Sequence, residues 1–168
     1  MKSLNQALIF RVEEDPDPVC DPDIATILPD RSIGYLVRDV HRAFSRTLQN
    51  RITAHGVTMG QWFFLRALWD EDGLTQRELS QRVGMMEPTT VTALNSMERC
   101  GLVERVRNPH DRRKVNIFLT PKGRDLRDVL LPCAADVSGQ ATRGITPEKL
   151  AAALDVLTCV TRNLGEHH

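Results

Sequence analysis

The apolar positions of the chain recur mainly at helical spacing, three and four residues apart, and this pattern predicts several amphipathic helices. The first helix is expected from Arg31 to about Ala54, with Gly56 ending it. The second follows Thr58 and is apolar on all sides, which predicts a helix at the centre of the core. The apolar stripe of the first helix comprises Ile33, Leu36, Val37, Val40, Phe44, Leu48 and Ile52.

Two shorter helices separated by a tight turn are predicted next. Thr75 can cap the first of them, and Glu78, three residues on, completes the sequence of a capping box. Gly84 can take the positive φ that the turn needs, and Pro88 suits the first turn of a helix because it has no N–H to leave unpaired. The second of the two helices is therefore expected from about Glu87 to Cys100.

A β-hairpin is predicted after this helix-turn-helix. Leu102 and Val103 begin an extended segment after Gly101, and its expected partner is Val115 to Leu119, where apolar and polar residues alternate. The order helix, turn, helix, strand, turn, strand is that of a winged helix-turn-helix. The predicted fold class is thus mainly α, with a small β-wing of two to three strands.

The second helix of the pair places short polar side chains opposite its apolar residues. They are Thr89, Thr92, Ser96 and Arg99, with Asn95 at the border of the face. Hydroxyl and amide groups suit base edges and phosphate oxygens, because they exchange hydrogen bonds without holding the helix out of the major groove. A face that is merely solvated more often carries Lys, Glu and Gln, so the pattern favours DNA binding.

The turn of the predicted hairpin is basic. Arg112, Arg113 and Lys114 are consecutive, and residues 99–114 carry six cations against two carboxylates, a net charge of +4. The negative potential of a narrow minor groove attracts arginine in particular, so this turn is predicted to enter a minor groove. A solvated hairpin tip is the alternative, and it is less favoured beside a helix-turn-helix.

The segment from Gly101 to Gly123 resembles the wing signature of the MarR (multiple antibiotic resistance regulator) family. The matching residues read GLVER at 101–105, D-x-R at 111–113 and I-x-L-T-P-x-G at 117–123, and the resemblance in layout covers about 33–164. It implies a homodimeric, usually repressing regulator whose Arg113 reaches the minor groove and whose Asp111 steadies the wing. Thr92 is a departure, because the family often has arginine at that exposed helix position.

Dimerisation is predicted from the helices that flank the winged helix-turn-helix. Two helices opened by Thr120 and Thr146, and joined by residues 139–145, carry apolar seams at alternating steps of four and three. A coiled-coil-like contact with a second copy is expected to cover both seams, and packing within one chain is the alternative. The seams comprise Leu126, Leu130, Cys133 and Val137 in the first helix, and Leu150, Leu154, Leu157, Thr161 and Leu164 in the second.

These elements predict three regions within one continuous domain. Residues 1–30 form an acidic, proline-rich arm, 31–56 and 121–168 the helical dimerisation region, and 57–120 the DNA-binding region. Charge is uneven in a chain of zero formal net charge: residues 1–30 carry two cations against seven carboxylates, so the other 138 residues sum to +5. Overall neutrality therefore conceals a basic body that suits a nucleic-acid partner.

The expected partners are a second copy of the chain and double-stranded DNA. A homodimer predicts a near-palindromic operator with half-sites about one helical turn, roughly 34 Å, apart. The resemblance also implies a small phenolic or aromatic-acid effector, and the row of arginines on the first helix adds its coenzyme A thioester as an alternative ligand. The candidate pocket residues combine aromatic rings with groups that can pair with an acid: Tyr35, Arg38, His41, Arg46, Trp62 and Phe63.

Other functions make different predictions. A winged-helix module that binds only proteins would depend neither on Arg113 nor on duplex sequence. A cysteine-based redox regulator would use Cys20, although the neighbouring Asp21 and Asp23 would raise the pKa of its thiol.

An enzyme is not expected. The sequence shows no Gly-rich phosphate loop, no metal-ligand spacing and no nucleophile with a plausibly placed base, so neither a cofactor nor a metal is predicted. It also shows no signal-peptide pattern and no run of about 18 apolar residues, so a soluble, cytoplasmic protein without a membrane partner is expected.

Overall fold

The computed structural model describes residues 32–109, 111 and 113–165 of the 168-residue chain. The chain divides into two compact units, Met1–Val37 and Arg38–His168. Residues 32–37, which include the start of the first helix, are the described part of the first unit, and all later elements belong to the second. The predicted acidic arm, 1–30, with Cys20, lies outside the described residues.

Six α-helices and three short strands make up the described part of the chain, so the predicted mainly α fold with a small wing is confirmed. The helices are α1 (Ile33–Ile52), α2 (Met59–Asp70), α3 (Gln76–Val83), α4 (Glu87–Arg99), α5 (Pro121–Ala141) and α6 (Pro147–Gly165). The strands are β1 (Leu74–Thr75), β2 (Val103–Arg107) and β3 (Val115–Leu119). A 3-10 turn, Thr53–His55, follows α1 and ends at Gly56, as predicted.

The helices begin where side chains satisfy their first N–H groups. The N–H of Glu78 donates to Thr75 Oγ1 at 3.3 Å, and the N–H of Thr75 donates to Glu78 Oε2 at 2.8 Å, so the predicted capping box is confirmed. Thr58 and Gln61 form a second box at the start of α2. Gly84 ends α3 at a φ of +68°, a conformation in which a Cβ would be strained.

The wing is a three-stranded antiparallel sheet with β3 in the centre. β2 pairs with β3 from Val103 opposite Leu119 to Arg107 opposite Val115, as the hairpin prediction requires. β1 adds Leu74 opposite Ile117 on the other edge. Because β1 directly precedes α3, this pairing ties the wing to the start of the helix-turn-helix.

The core is organised around α2, as its apolar sequence predicts. Phe64, Leu65 and Leu68 are almost completely buried, and burial of each such side chain stabilises the fold by roughly 1.5–3 kcal/mol. Phe63 is the exception, since it lies on the outer side of α2 and is 36% exposed. The buried partners from the other elements include Leu79, Leu94, Met97, Ile117 and Leu130.

One predicted dimerisation seam is wrong. Leu130 and Val137 of α5 are buried within the chain, and Leu126 and Cys133 pack partly buried against the same core. Four-three spacing marks an apolar face and is the same whether that face packs on its own chain or on a second one. For α5 the alternative, packing within one chain, is correct. The joint with α6 is also shorter than 139–145, because α5 continues to Ala141.

The apolar faces of α1 and α6 differ from that of α5. Val40 and Phe44 of α1 are exposed although they lie on its apolar stripe, and so are Leu154 and Leu157 of α6. None of the α6 residues is buried. Exposed apolar residues at regular helical spacing are typical of a surface that binds another protein surface.

Candidate nucleic-acid interface

Helix α4 turns one side into the core and the other to solvent. Thr90, Leu94 and Met97 are completely buried. They hold α4 against the chain, while Thr89, Thr92, Asn95 and Arg99 are exposed. A shallow depression of about 360 Å³ is lined by Thr92, Asn95, Glu98 and Arg99. The exposed side of α4 is therefore polar and is not covered by the described part of the chain.

The positions of Asn95 and Ser96 are the reverse of those predicted. Asn95 is exposed, whereas Ser96 is half-buried and its hydroxyl accepts a hydrogen bond of 3.4 Å from the side chain of Gln61 on α2. One step along a helix rotates a side chain by about 100°, which moves Ser96 to the border beside Ala93. Asn95, rather than Ser96, belongs with Thr92 on the outward face.

Thr92 uses its proton within the helix. Its hydroxyl donates to the carbonyl of Pro88 at 3.1 Å. The oxygen is then left as an acceptor, and the methyl group adds a small apolar surface. At this position the chain therefore presents a much shorter side chain than the arginine that is common in the family it resembles.

The turn of the wing is held by a short network around Asp111. The N–H of Arg113 donates to Asp111 Oδ1 at 3.0 Å, and the N–H of Lys114 donates to the Asp111 carbonyl at 2.9 Å. The N–H of Asp111 itself donates to Asn108 Oδ1 at 3.1 Å. These bonds fold the backbone back on itself, so the contacts of Asp111 suit the predicted wing-stabilising role.

Three cations in the described part of the wing are exposed to solvent. Arg113 and Lys114 are exposed, as is Arg107 at the end of β2. Arg112, the other predicted cation of the turn, lies outside the described residues. The wing therefore presents positive charge close to the outward side of the helix-turn-helix.

A groove of about 710 Å³ runs between the start of α3 and the base of the wing. Its cations are Arg77, Arg113 and Lys114, and its carboxylates are Glu78 and Glu87. The hydroxyl and then the N–H of Thr75 donate to Glu78 and, together with Lys114 and Arg82 nearby, hold the pKa of this carboxyl below its usual value.

Arg77 was not predicted from the sequence as part of this surface, and neither were Gln76 and Gln81, which line the same groove. The sequence does contain a signal for Arg77, because it lies two residues after the N-cap Thr75, and in helix-turn-helix proteins the first helix crosses the phosphate backbone of the bound DNA.

Arg105, in the middle of β2, is engaged by residues of α4 and does not face outward with the other wing cations. Its guanidinium donates to Asn95 Oδ1 at 2.8 Å and forms an ion pair with Glu98, and its side chain is only 24% exposed. Residues of a strand alternate between its two faces, so Arg105 shares the face of Val103 and points toward α4. It therefore joins the wing to α4.

The candidate effector residues do not share one environment. Arg38, His41 and Arg46 of α1 are exposed, like Phe63 of α2. Tyr35 lies near the start of α1 and is 47% exposed. Trp62, in contrast, is buried and packs edge-to-face on Trp69 with ring centroids 5.8 Å apart.

Three further features of the described residues concern metal, thiol and membrane sites. Nowhere in the described ranges do three His, Cys, Asp or Glu side chains group as they would to hold a metal ion. Cys133 Sγ lies 4.0 Å from His55 Nε2, while Cys100 is exposed. No described helix combines the length and the apolar character that crossing a membrane requires.

Known proteins share this arrangement. Residues 55–114 match the model of the MarR family. The chain is 33% identical over 135 residues to the HTH-type transcriptional regulator TtmR of Methylorubrum extorquens (strain PA1), an alignment that covers 80% of this chain and 68% of TtmR. It is 28% identical over 113 residues to the homoprotocatechuate degradative operon repressor of Escherichia coli, covering 67% of this chain and 74% of that repressor.

A solved structure agrees with these sequence matches. The crystal structure of a MarR transcriptional regulator from Methanosarcina mazei Go1 has a TM-score of 0.75 and 26% sequence identity with this chain. The match covers 81% of this chain and 98% of that one.

Proposed function

Because the chain belongs to the MarR family of transcriptional regulators, we propose that it is a homodimeric repressor that binds a near-palindromic operator and leaves it when a small aromatic acid binds. The observation that carries this proposal is the outward polar face of α4 beside a wing whose Arg113 and Lys114 are exposed. A helix of this kind fits the major groove, and the adjoining cations are then within reach of the flanking minor groove.

The residues divide between base contacts and backbone contacts. Thr92, Asn95 and Arg99 on the exposed face of α4 contact base edges, with Thr89 and Ser96 at its margin. Arg113, with Arg112, enters the minor groove, where narrow A·T-rich sequence attracts arginine. Sequence is thus read at two places in each half-site.

The groove between α3 and the wing is the proposed path of one phosphate backbone. Arg77 and Lys114 line it from opposite sides, and Glu78 is held by Thr75 instead of pairing with either of them at close range. Phosphate contacts supply most of the affinity of a DNA-binding protein, and they make that affinity fall steeply with salt.

Dimerisation brings the DNA-binding regions of two copies together. We assign it to α1 and α6, whose apolar residues Val40, Phe44, Leu154 and Leu157 are exposed in the single chain. Burial of these residues against a second copy would hold the two DNA-binding regions, residues 57–120 of each copy, at a fixed distance and relate them by a twofold axis. The half-sites are then about one helical turn, roughly 34 Å, apart.

The effector proposal is supported by chemistry and by a relative's name. The homoprotocatechuate degradative operon repressor is named for a phenolic acid. In this chain, exposed Arg38 and Arg46 can pair with a carboxylate, and Phe63 can stack on an aromatic ring. His41 and Trp62 complete the proposed set, with either the free acid or its coenzyme A thioester as the ligand.

A ligand at this place would act on the spacing of the two DNA-binding regions. The ligand would lie between the helical dimerisation region and α2. If it binds preferentially when the two DNA-binding regions are at one separation, it shifts the dimer away from the separation that fits both half-sites. The expected result is release of the operator, which is repression relieved by the effector.

The test is a gel shift with the DNA immediately upstream of the protein's own gene, with and without aromatic acids and their thioesters. We expect sequence-selective binding that one of these compounds abolishes. DNA binding that none of the compounds changes would contradict the effector proposal but not the DNA-binding proposal. A chain that prefers no duplex sequence, and whose Arg113→Ala variant still binds a protein target, would instead favour a protein-interaction module.

A further inference from the structure

Arg105 is positioned to control how Asn95 faces the solvent. From the middle of β2 its Nη2 donates to Asn95 Oδ1 at 2.8 Å, and its Nη1 forms an ion pair with Glu98, one turn of α4 further on. Arg105 is mostly buried by these contacts, whereas Asn95 is exposed on the proposed reading face. The wing strand and α4 therefore meet at an ordered polar cluster.

The chemistry of arginine determines which end of the Asn95 amide faces inward. A guanidinium has only hydrogen-bond donors, so the amide atom beside it has to be the oxygen. Glu98 contacts the other Nη atom and keeps the guanidinium in this position. The amide nitrogen of Asn95, which can only donate, is then the end that is turned away from Arg105, while the oxygen keeps one lone pair.

We infer that Asn95 reads one base pair as a hydrogen-bond donor and that Arg105, held by Glu98, determines this specificity. The inference rests on the proposed placement of α4 in the major groove. A donor matches the O6 and N7 acceptors of guanine or the O4 acceptor of thymine. The paired contact to adenine also needs the amide oxygen, one of whose two lone pairs Arg105 already occupies, so that contact is weakened. The donor also meets the amino group of cytosine unfavourably.

The expected discrimination is modest but measurable. A donor that faces another donor in a dehydrated interface leaves both groups without partners. Duplexes with cytosine at the base contacted by Asn95 should therefore bind more weakly, on the order of tenfold. Adenine should fall between cytosine and the two acceptor bases, because its N7 accepts while its amino group stays unmatched.

The experiment is selection of bound duplexes from a randomised library by the full-length protein and its variants. Asn95→Ala identifies the base pair that Asn95 reads, because only that position loses its preference. Arg105→Met removes the guanidinium, so the amide can turn and the preference for guanine or thymine should fall from about tenfold to about twofold. Arg107→Met is the matched control: it removes an exposed cation of the same strand, and should weaken binding to all duplexes equally.

A charge exchange tests the polarity itself. In the double variant Glu98→Arg with Arg105→Glu, the ion pair is retained but the group beside Asn95 becomes an acceptor, so the amide should reverse and favour adenine or cytosine. Thermal melting checks that each variant is folded, and the double variant keeps the proposal testable should Arg105→Met unfold.

Three results would overturn the inference. The same preferred base in wild type, Arg105→Met and the double variant would show that Arg105 does not set the polarity. Unchanged preferences in Asn95→Ala would show that Asn95 reads no base. Selection of no sequence by the wild-type protein would instead reject the proposed DNA-binding function, and the inference with it.

Discussion

Replacing Gly123 by alanine tests how α5 is attached to the winged helix-turn-helix. Gly123 is buried in the first turn of α5, and a Cβ added there would lie 2.2 Å from the carbonyl oxygen of Leu102 and 3.1 Å from Leu119 Cδ2. The Leu102 carbonyl accepts a hydrogen bond of 3.1 Å from the N–H of Thr120, the N-cap of α5. The Gly123 carbonyl itself accepts from Trp69 Nε1 at 2.9 Å. Neither backbone can therefore move without loosening the start of α5.

The magnitude follows from these contacts. Relief of the clash requires a displacement of roughly 1 Å to reach an ordinary contact distance. Overpacking of this kind costs about 1–3 kcal/mol, and weakening of the two hydrogen bonds adds about 1 kcal/mol each. The better helix propensity of alanine offsets about 1 kcal/mol, which leaves a loss of roughly 2–4 kcal/mol. For a chain of this length that loss lowers Tm by roughly 4–16 °C.

The assay is thermal unfolding followed by circular dichroism, at one protomer concentration because a dimer's Tm depends on it. Gly139→Ala in the same helix is the control, since an added Cβ there has nothing within 4 Å. It should raise the stability by about 0.5–1 kcal/mol. A Gly123→Ala protein that melts within about 1 °C of the wild type would show that the Leu102 carbonyl moves aside at little cost.

Three further predictions concern the capping box, the wing and the dimer. Glu78→Gln should destabilise the protein at neutral pH and have progressively less effect as the pH falls through the lowered pKa of Glu78, as shown by melting temperatures between pH 3 and 7. Arg113→Ala should weaken operator binding by about tenfold or more and reduce the dependence of log K on log salt by about one unit, as measured by fluorescence anisotropy. Leu157→Glu should shift the sedimentation of the protein toward the monomer, because Leu157 is exposed on α6 and a carboxylate is costly to bury.

Each of these has a contradicting result. An effect of Glu78→Gln that is as large at pH 3 as at pH 7 would mean that its charge does not stabilise the cap. Unchanged affinity and salt slope for Arg113→Ala would remove the wing from the interface. A Leu157→Glu protein that sediments as the wild type does would place the dimer contact elsewhere than on this face of α6.

The elements that depend on neighbouring residues were predictable from the sequence. The start of α3 is marked by Thr75 and Glu78, and the start of α4 by Pro88. Both signals involve residues only a few positions apart. β1 was not specified, since two residues are too short to show alternation and its partner Ile117 lies 43 positions further along the chain.

The site was predictable as a region but not in its contacts. The exposed side of α4 and the basic wing follow from periodicity and charge. The engagement of Arg105 by Asn95 and Glu98 does not, because it depends on the distance between a strand and a helix. The α5 seam failed for a related reason: spacing identifies an apolar face but not the surface that covers it.

Binding of one operator by two symmetric subunits is tested by a hydroxyl-radical footprint of the protein on its selected operator. We expect two protected patches related by twofold symmetry, with centres about one helical turn, roughly 34 Å, apart and with protection in the flanking minor grooves. A single protected patch, or even protection along the duplex without preferred positions, would contradict this expectation.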